Sequence, residues 1–141
     1  VARPAASSES GAILSLSRRA AALKASLGAM PGALPQPLSA SRASTPIALI
    51  YKVKGKMFAI LSVRGVESVI LKCDPQLADI LREQYAGVGH RSHLDPRFWI
   101  NVSLDADVPA KEIKRLVRHS YELVCAKLTR KQQAELAAQS S

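Results

Sequence analysis

The chain has 141 residues, 48% hydrophobic and 22% charged, with a formal net charge of +9. That length suits one domain with a core that needs no staples. Apolar runs such as Met57 to Leu61 fall far short of the ~18 residues of a membrane span, which excludes a helical membrane protein.

Val1 to Ser10 carries no apolar stretch of the kind a secretory leader needs and reads as a disordered lead-in. Ile13, Leu16, Ala20, Leu23 and Leu27 recur at helical spacing and predict a helix over 11–28, with Ser10 as N-cap and Gly28 as its stop. Arg18, Arg19 and Lys24 decorate that helix. Met30 to Pro46 is rich in Pro, Ser, Ala and Gly and predicts an irregular connection wrapping the surface.

Residues 47–72 predict the sheet. Ile47, Leu49, Tyr51 and Val53 alternate with Lys52 and Lys54, and a tight Lys54-Gly55 turn leads into a second strand. Met57, Ala59, Leu61 and Val63 form one face of that strand. Phe58 and Ile60 form the other, so it is expected to be covered on both sides. A second hairpin with Val63-Arg64-Gly65-Val66 at its tip leads to a third strand ending at Lys72.

Asp74-Pro75 opens a helix as N-cap and first helical residue, with Leu77, Ile80, Leu81 and Tyr85 as the expected buried stripe and Gly87 as its end. Residues 88–97 read as a loop and 98–104 as a strand. Pro109 starts a long helix whose inner face is Ile113, Leu116, Val117, Ser120, Tyr121, Val124 and Leu128. Residues 129–141 read as a polar C-terminal helix or tail.

These segments resemble the MmcQ/YjbR family. The resemblance rests on Met30-Pro-Gly-Ala33, Tyr51-Lys-Val-Lys-Gly-Lys-Met-Phe-Ala59, Leu71-Lys-Cys-Asp-Pro75 and Leu81-Arg82. It continues through His93-Leu94, Trp99-Ile-Asn-Val-Ser-Leu-Asp105, Pro109 and Ser120-Tyr121-Glu-Leu-Val124. It implies a single domain over 11–128. The implied class is α+β: an antiparallel sheet of about five strands packed against N- and C-terminal helices, a frataxin/CyaY-like two-layer sandwich. The family is described as DNA-binding on a proposed double-wing motif, which would place the wings at Lys54-Gly55 and Arg64-Gly65. The chain departs from the family pattern between Leu34 and Pro46.

Charge is distributed unevenly. Residues 1–46 hold five basic residues against one acid, 47–108 eight against seven, and 109–141 seven against three. Lys52, Lys54, Lys56 and Arg64 on the hairpins can contact duplex phosphates, which positions a protein without reading sequence. The same lysines can equally serve to keep a strand edge from pairing. Lys111, Lys114, Arg115 and Arg118 fall on one helix face, either extending that surface or standing as a solvated face. Arg91, His93 and Trp99 form a candidate cleft for a protein or small molecule.

His90, His93 and His119 match no ligand spacing, so no metal or other cofactor is expected. No nucleophile stands beside a recognisable base, and a non-catalytic protein is expected. The fold's likeness to frataxin raises iron, but Arg18, Arg19 and Lys24 occupy the helix where hard-cation carboxylates would be needed. Cys73 and Cys125 match no paired pattern and read as free thiols in a reducing, cytoplasmic setting.

Overall fold

The computed structural model describes residues 17–39, 46–62, 67–90 and 94–139. The first helix, α1 (Arg18–Gly28), takes Ser17 as its N-cap, seven residues later than the expected Ser10. Ser17 Oγ accepts the Ala20 amide at 3.1 Å. Its own N–H and hydroxyl go to the Glu67 carboxylate at 3.0 and 2.5 Å, which pins the helix start to the sheet. Ala20, Leu23 and Leu27 are buried as expected, while Ser10, Ile13 and Leu16 lie outside the described residues.

The sheet comprises β1 (Ala33–Ser39), β2 (Pro46–Val53), β3 (Lys56–Ser62), β4 (Ser68–Lys72), β5 (Val88–Gly89) and β6 (Trp99–Ser103). Their order is β1-β2-β3-β4-β6-β5, with every neighbouring pair antiparallel. The α+β class is as expected, and the described residues form six strands, close to the anticipated five or so. The expected irregular connection from Met30 contains β1. Pro35 and Pro37 disguise it, yet an outermost strand tolerates proline because one side of its backbone has no partner. The two stand opposite Tyr51 and Leu49, two residues apart, so their ring nitrogens can both turn to the open edge. β5 is two residues long, too short to leave a pattern.

Helices α2 (Pro75–Gln84), α3 (Ala110–Cys125) and α4 (Arg130–Gln139) complete the described elements. α3 lies across β3 and β4, with α1 beside it. Leu49, Tyr51, Val53, Leu61, Val69, Leu71, Ile100 and Val102 are buried on the helix-facing side. On the opposite side Ile50, Ile60 and Ile70 align across three strands and are only half-buried, so β3 is not covered on both faces as expected.

A bulge resets the pattern of β3. Tyr51 pairs with Ala59 and Lys52 with Met57, leaving Phe58 as an extra residue. Phe58 and Ala59 consequently both face the helices. The Phe58 ring meets Tyr121 edge-on at 5.3 Å and lies 6.4 Å from Tyr51.

The β3–β4 ladder ends at Ala59 opposite Leu71. One step further, the buried Ser120 of α3 bridges the strands. Its hydroxyl donates to the Phe58 carbonyl at 2.5 Å and accepts the Lys72 amide at 2.9 Å.

In α2, Asp74 caps the helix as expected, accepting the Gln76 and Leu77 amides. Its buried residues are Ala78 and Leu81, whereas Ile80 is 56% exposed, because the inward stripe runs through Ala78 rather than Ile80. Gly87 closes the following turn against Ala106 and Asp107. A Cβ there would stand 2.6 Å from Ala106 Cβ. Asp107 accepts the Ala86 and Gly87 amides at 2.8 and 2.7 Å.

Candidate nucleic-acid interface

Lys54 and Gly55 both have positive φ, 50° and 80°, the signature of the two-residue turn whose twist matches paired strands. A lysine is held at φ 50° only against a steric penalty that glycine or asparagine would largely escape. The Lys54 ammonium pairs with Glu135 of α4 at 2.8 Å, clasping the hairpin tip to the C-terminal helix. Leu136 beside it is buried in the core, so residues 130–139 pack on the domain.

That clasp determines which cations meet. α4 turns back directly from the end of α3, where the Gln133 amide donates to the Cys125 and Leu128 carbonyls at 2.9 and 3.2 Å. Lys127, Arg130 and Lys131, all exposed, therefore stand at the same end of the molecule as the first hairpin. Lys72, at the end of β4, joins them. Lys52, Lys54, Lys56 and Lys72 lie at this end of the sheet, and Lys127, Arg130 and Lys131 at the α3–α4 corner clasped to it, with Asp74, Glu122 and Glu135 among them. Asp74 is committed to the α2 cap and Glu135 to Lys54. Beside the hairpin, a groove of about 670 Å³ runs between Gln36 and Leu34 on one side and Lys52, Lys54 and Gly55 on the other.

Arg64 lies outside the described residues, and the predicted helix cations are placed elsewhere. The strand ends flanking Arg64, Ser62 and Ser68, stand at the opposite end of β3 from Lys54-Gly55. Successive hairpins must leave a shared strand at opposite ends, and seven residues of β3 separate the two by ~20 Å. Lys111, Lys114, Arg115 and Arg118 are all exposed on the outer face of α3. Lys114 belongs to the far pole, where it lines a groove with Arg18, Arg19 and Leu104. Arg19 donates there to the Leu104 and Val108 carbonyls. Arg115 is paired with Glu112 at 2.8 Å. The helix row and the first hairpin thus form separate surfaces.

Trp99 is half-buried and pairs across the ladder with Lys72, whose ammonium lies 6.0 Å from the indole centroid. Arg91 and His93, grouped with Trp99 in the predicted cleft, lie outside the described residues. The His90 ring hydrogen-bonds the Leu94 carbonyl at 2.5 Å, and His119 Nε2 accepts the Asp74 amide at 3.4 Å. Among the described residues, no group of three His, Cys, Asp or Glu side chains could hold a metal ion.

Electrostatic effects elsewhere serve the fold. Burial pushes the Cys73 thiol up to about 11, so it stays protonated at neutral pH. Hydrogen bonds from Arg97 hold the Asp95 carboxyl down to about 2. The Ala86 and Gly87 amides lower Asp107. Burial raises the Tyr121 hydroxyl, which donates to the Pro31 carbonyl at 2.5 Å.

Lys72, Lys127, Arg130 and Lys131 were missed as partners of the hairpin. Their charges were visible in the sequence. Their meeting depends on the α3–α4 corner, which no local pattern encodes.

Fold and surface together define a two-layer α+β domain with one strongly cationic pole. The sequence model of the YjbR family matches residues 29–123, and the chain belongs to that family. It is 38% identical over 72 residues to the Escherichia coli K12 protein YjbR, a match spanning 50% of this chain and 61% of that protein. The YbdF protein of Escherichia coli O157:H7 is 28% identical over 85 residues, covering 60% of this chain and 70% of YbdF. Among solved structures, Deinococcus radiodurans protein DR2400 superposes with a TM-score of 0.70 at 28% identity, covering 82% of this chain and 85% of its own. A Pseudomonas syringae protein, TM-score 0.58 at 22% identity over 77% of this chain and 98% of its own, shares the fold. No helix among the described residues is long and apolar enough to cross a membrane.

Proposed function

We propose that the chain is a non-catalytic nucleic-acid-binding protein that grips duplex phosphates with the pole around its first hairpin. The observation that carries this reading is the convergence of hairpin lysines with Lys72, Lys127, Arg130 and Lys131 at one end of the molecule. Two of the three carboxylates there are already engaged. Ammonium groups on a rigid ribbon and a helix corner suit a polyanion and contribute little sequence discrimination. Aromatic residues are only 4% of the chain, which disfavours a stacking platform for single strands and favours duplex. The proposal is confined to the first hairpin, because Arg64 and the tip of the second lie outside the described residues.

Fluorescence anisotropy with a labelled random-sequence duplex, titrated over a range of salt, tests the proposal. With about four to six phosphates neutralised, log affinity falls with log salt at a slope of roughly −4 to −5. A Lys52→Glu/Lys56→Glu/Lys131→Glu variant loses most of the binding, and Lys111→Glu/Lys114→Glu/Arg118→Glu keeps most of it. No binding at low salt, or equal losses in both variants, overturns the single-pole reading.

A further inference from the structure

We infer that the cavity beside Trp99 is a ligand site for a small, flat aromatic anion, its ring laid on the indole and its acid group held by Lys72 and Lys127. This does not rest on the duplex reading. Lys72, Pro75, Phe98, Trp99, Leu123 and Lys127 line a space of about 380 Å³ between the end of β4 and the last turns of α3. That is within the ~300–1,000 Å³ of small-molecule sites, and the arrangement of apolar walls with a few convergent polar groups is theirs as well.

Each wall contributes a distinct part of the recognition. Trp99 is fixed by its strand: its carbonyl accepts from Arg82 at 3.0 Å, and its amide donates to the Asp95 carbonyl at 3.0 Å. Its ring is thus a positioned platform. The Lys72 ammonium lies 6.0 Å from the indole centroid, the outer limit of a cation–π contact, and is free to turn to a stronger anionic partner. Lys127 stands exposed at the α3–α4 corner on the other side of the opening.

The one acid among the lining residues, Asp74, is engaged in capping α2. Its carboxylate accepts the Gln76 and Leu77 amides at 3.1 and 3.3 Å, so the start of α2 is already capped and the lysines remain to balance an anion. Cys73 is buried with its thiol protonated, and the cavity is equipped to hold a ligand rather than to attack it.

Trp99 is the chain's single tryptophan, so indole fluorescence reports this cavity alone. The probes are adenosine 5′-monophosphate and 4-hydroxybenzoate, with adenosine, phenol and inorganic phosphate as controls. At least one anionic probe should quench Trp99 saturably, with Kd below about 1 mM, and its uncharged counterpart should bind at least about tenfold more weakly. Lys127→Ala, an exposed change, should weaken the effective probe about tenfold, while Lys111→Glu leaves it unchanged. Shifts of the Trp99 indole N–H resonance should track the quenching. Quenching by the nucleotide alone assigns a nucleotide, and by the benzoate alone an aromatic carboxylate. No saturation by either, quenching by phosphate alone, equal binding of the uncharged controls, or indifference to Lys127→Ala overturns the assignment. Loss of duplex binding in the hairpin variant together with retained probe binding separates this cavity from the hairpin lysines, while Lys72 and Lys127 belong to both surfaces.

Discussion

Ser120 shows how much one hydroxyl can hold. It is fully buried, and it replaces the rung that the β3–β4 ladder lacks by pairing the Phe58 carbonyl with the Lys72 amide. Ser120→Ala should destabilise the protein by about 1–3 kcal/mol, because two buried backbone groups lose their partner. Urea unfolding checks this, and a change below about 0.5 kcal/mol would mean that the strands reclose without the hydroxyl. The sequence placed Ser120 on the inner face of its helix. Its partners sit 62 and 48 residues away and left no trace there. Glu135 offers a test of opposite sign at the cationic pole. Replacing it with glutamine removes an anion and releases the Lys54 ammonium. Duplex affinity in the anisotropy assay should therefore rise, by about twofold to fivefold at low salt. A fall would show that the clasp, rather than the net charge, presents the hairpin.

Turns and strands were legible in proportion to how local their chemistry is. The Lys54-Gly55 hairpin was readable because a two-residue turn between alternating runs is specified by a few adjacent residues. β1 was not, since Pro35 and Pro37 argue against a strand until the edge position is known. The bulge at Phe58 was equally hidden, and it turns Phe58 to the helices alongside Ala59. Gly87 was read as a helix stop, but its larger role is to admit the turn carrying Ala106 and Asp107. Gly87→Ala forces that backbone apart and should cost about 1–3 kcal/mol, whereas Gly89→Ala, with open space around its Cβ, should cost much less. Comparing the two thermal midpoints separates tight approach from a general loss of glycine.

At the scale of the whole molecule, the net charge of +9 was plain in the sequence, but its partition between two ends was not. The sequence left open whether the α3 row extends the hairpin lysines or stands as a solvated face, and the fold sets Lys114 at the opposite pole. Acid stability follows from the same three-dimensional arrangement. Asp95 and Asp107 are held below the ordinary carboxylate range by Arg97 and by the Ala86 and Gly87 amides. Their contribution is complete above about pH 4 and is lost as pH falls through their lowered values, toward about 2 for Asp95. The urea midpoint should therefore decline between about pH 5 and pH 2, and Asp107→Asn should flatten that decline while lowering the midpoint at neutral pH. An unchanged acid slope in the variant would remove Asp107 from the account.

The outermost strand bears on the proposed grip of a polyanion. Proteins that coat a polyanion are brought side by side at local concentrations far above those in free solution, the condition under which bare sheet edges zip together. Proline has no amide hydrogen, so β1 has no donor at positions 35 and 37 to offer a neighbouring copy. On the proposed reading, copies crowded along a duplex would then slide past one another instead of knitting into a fibre.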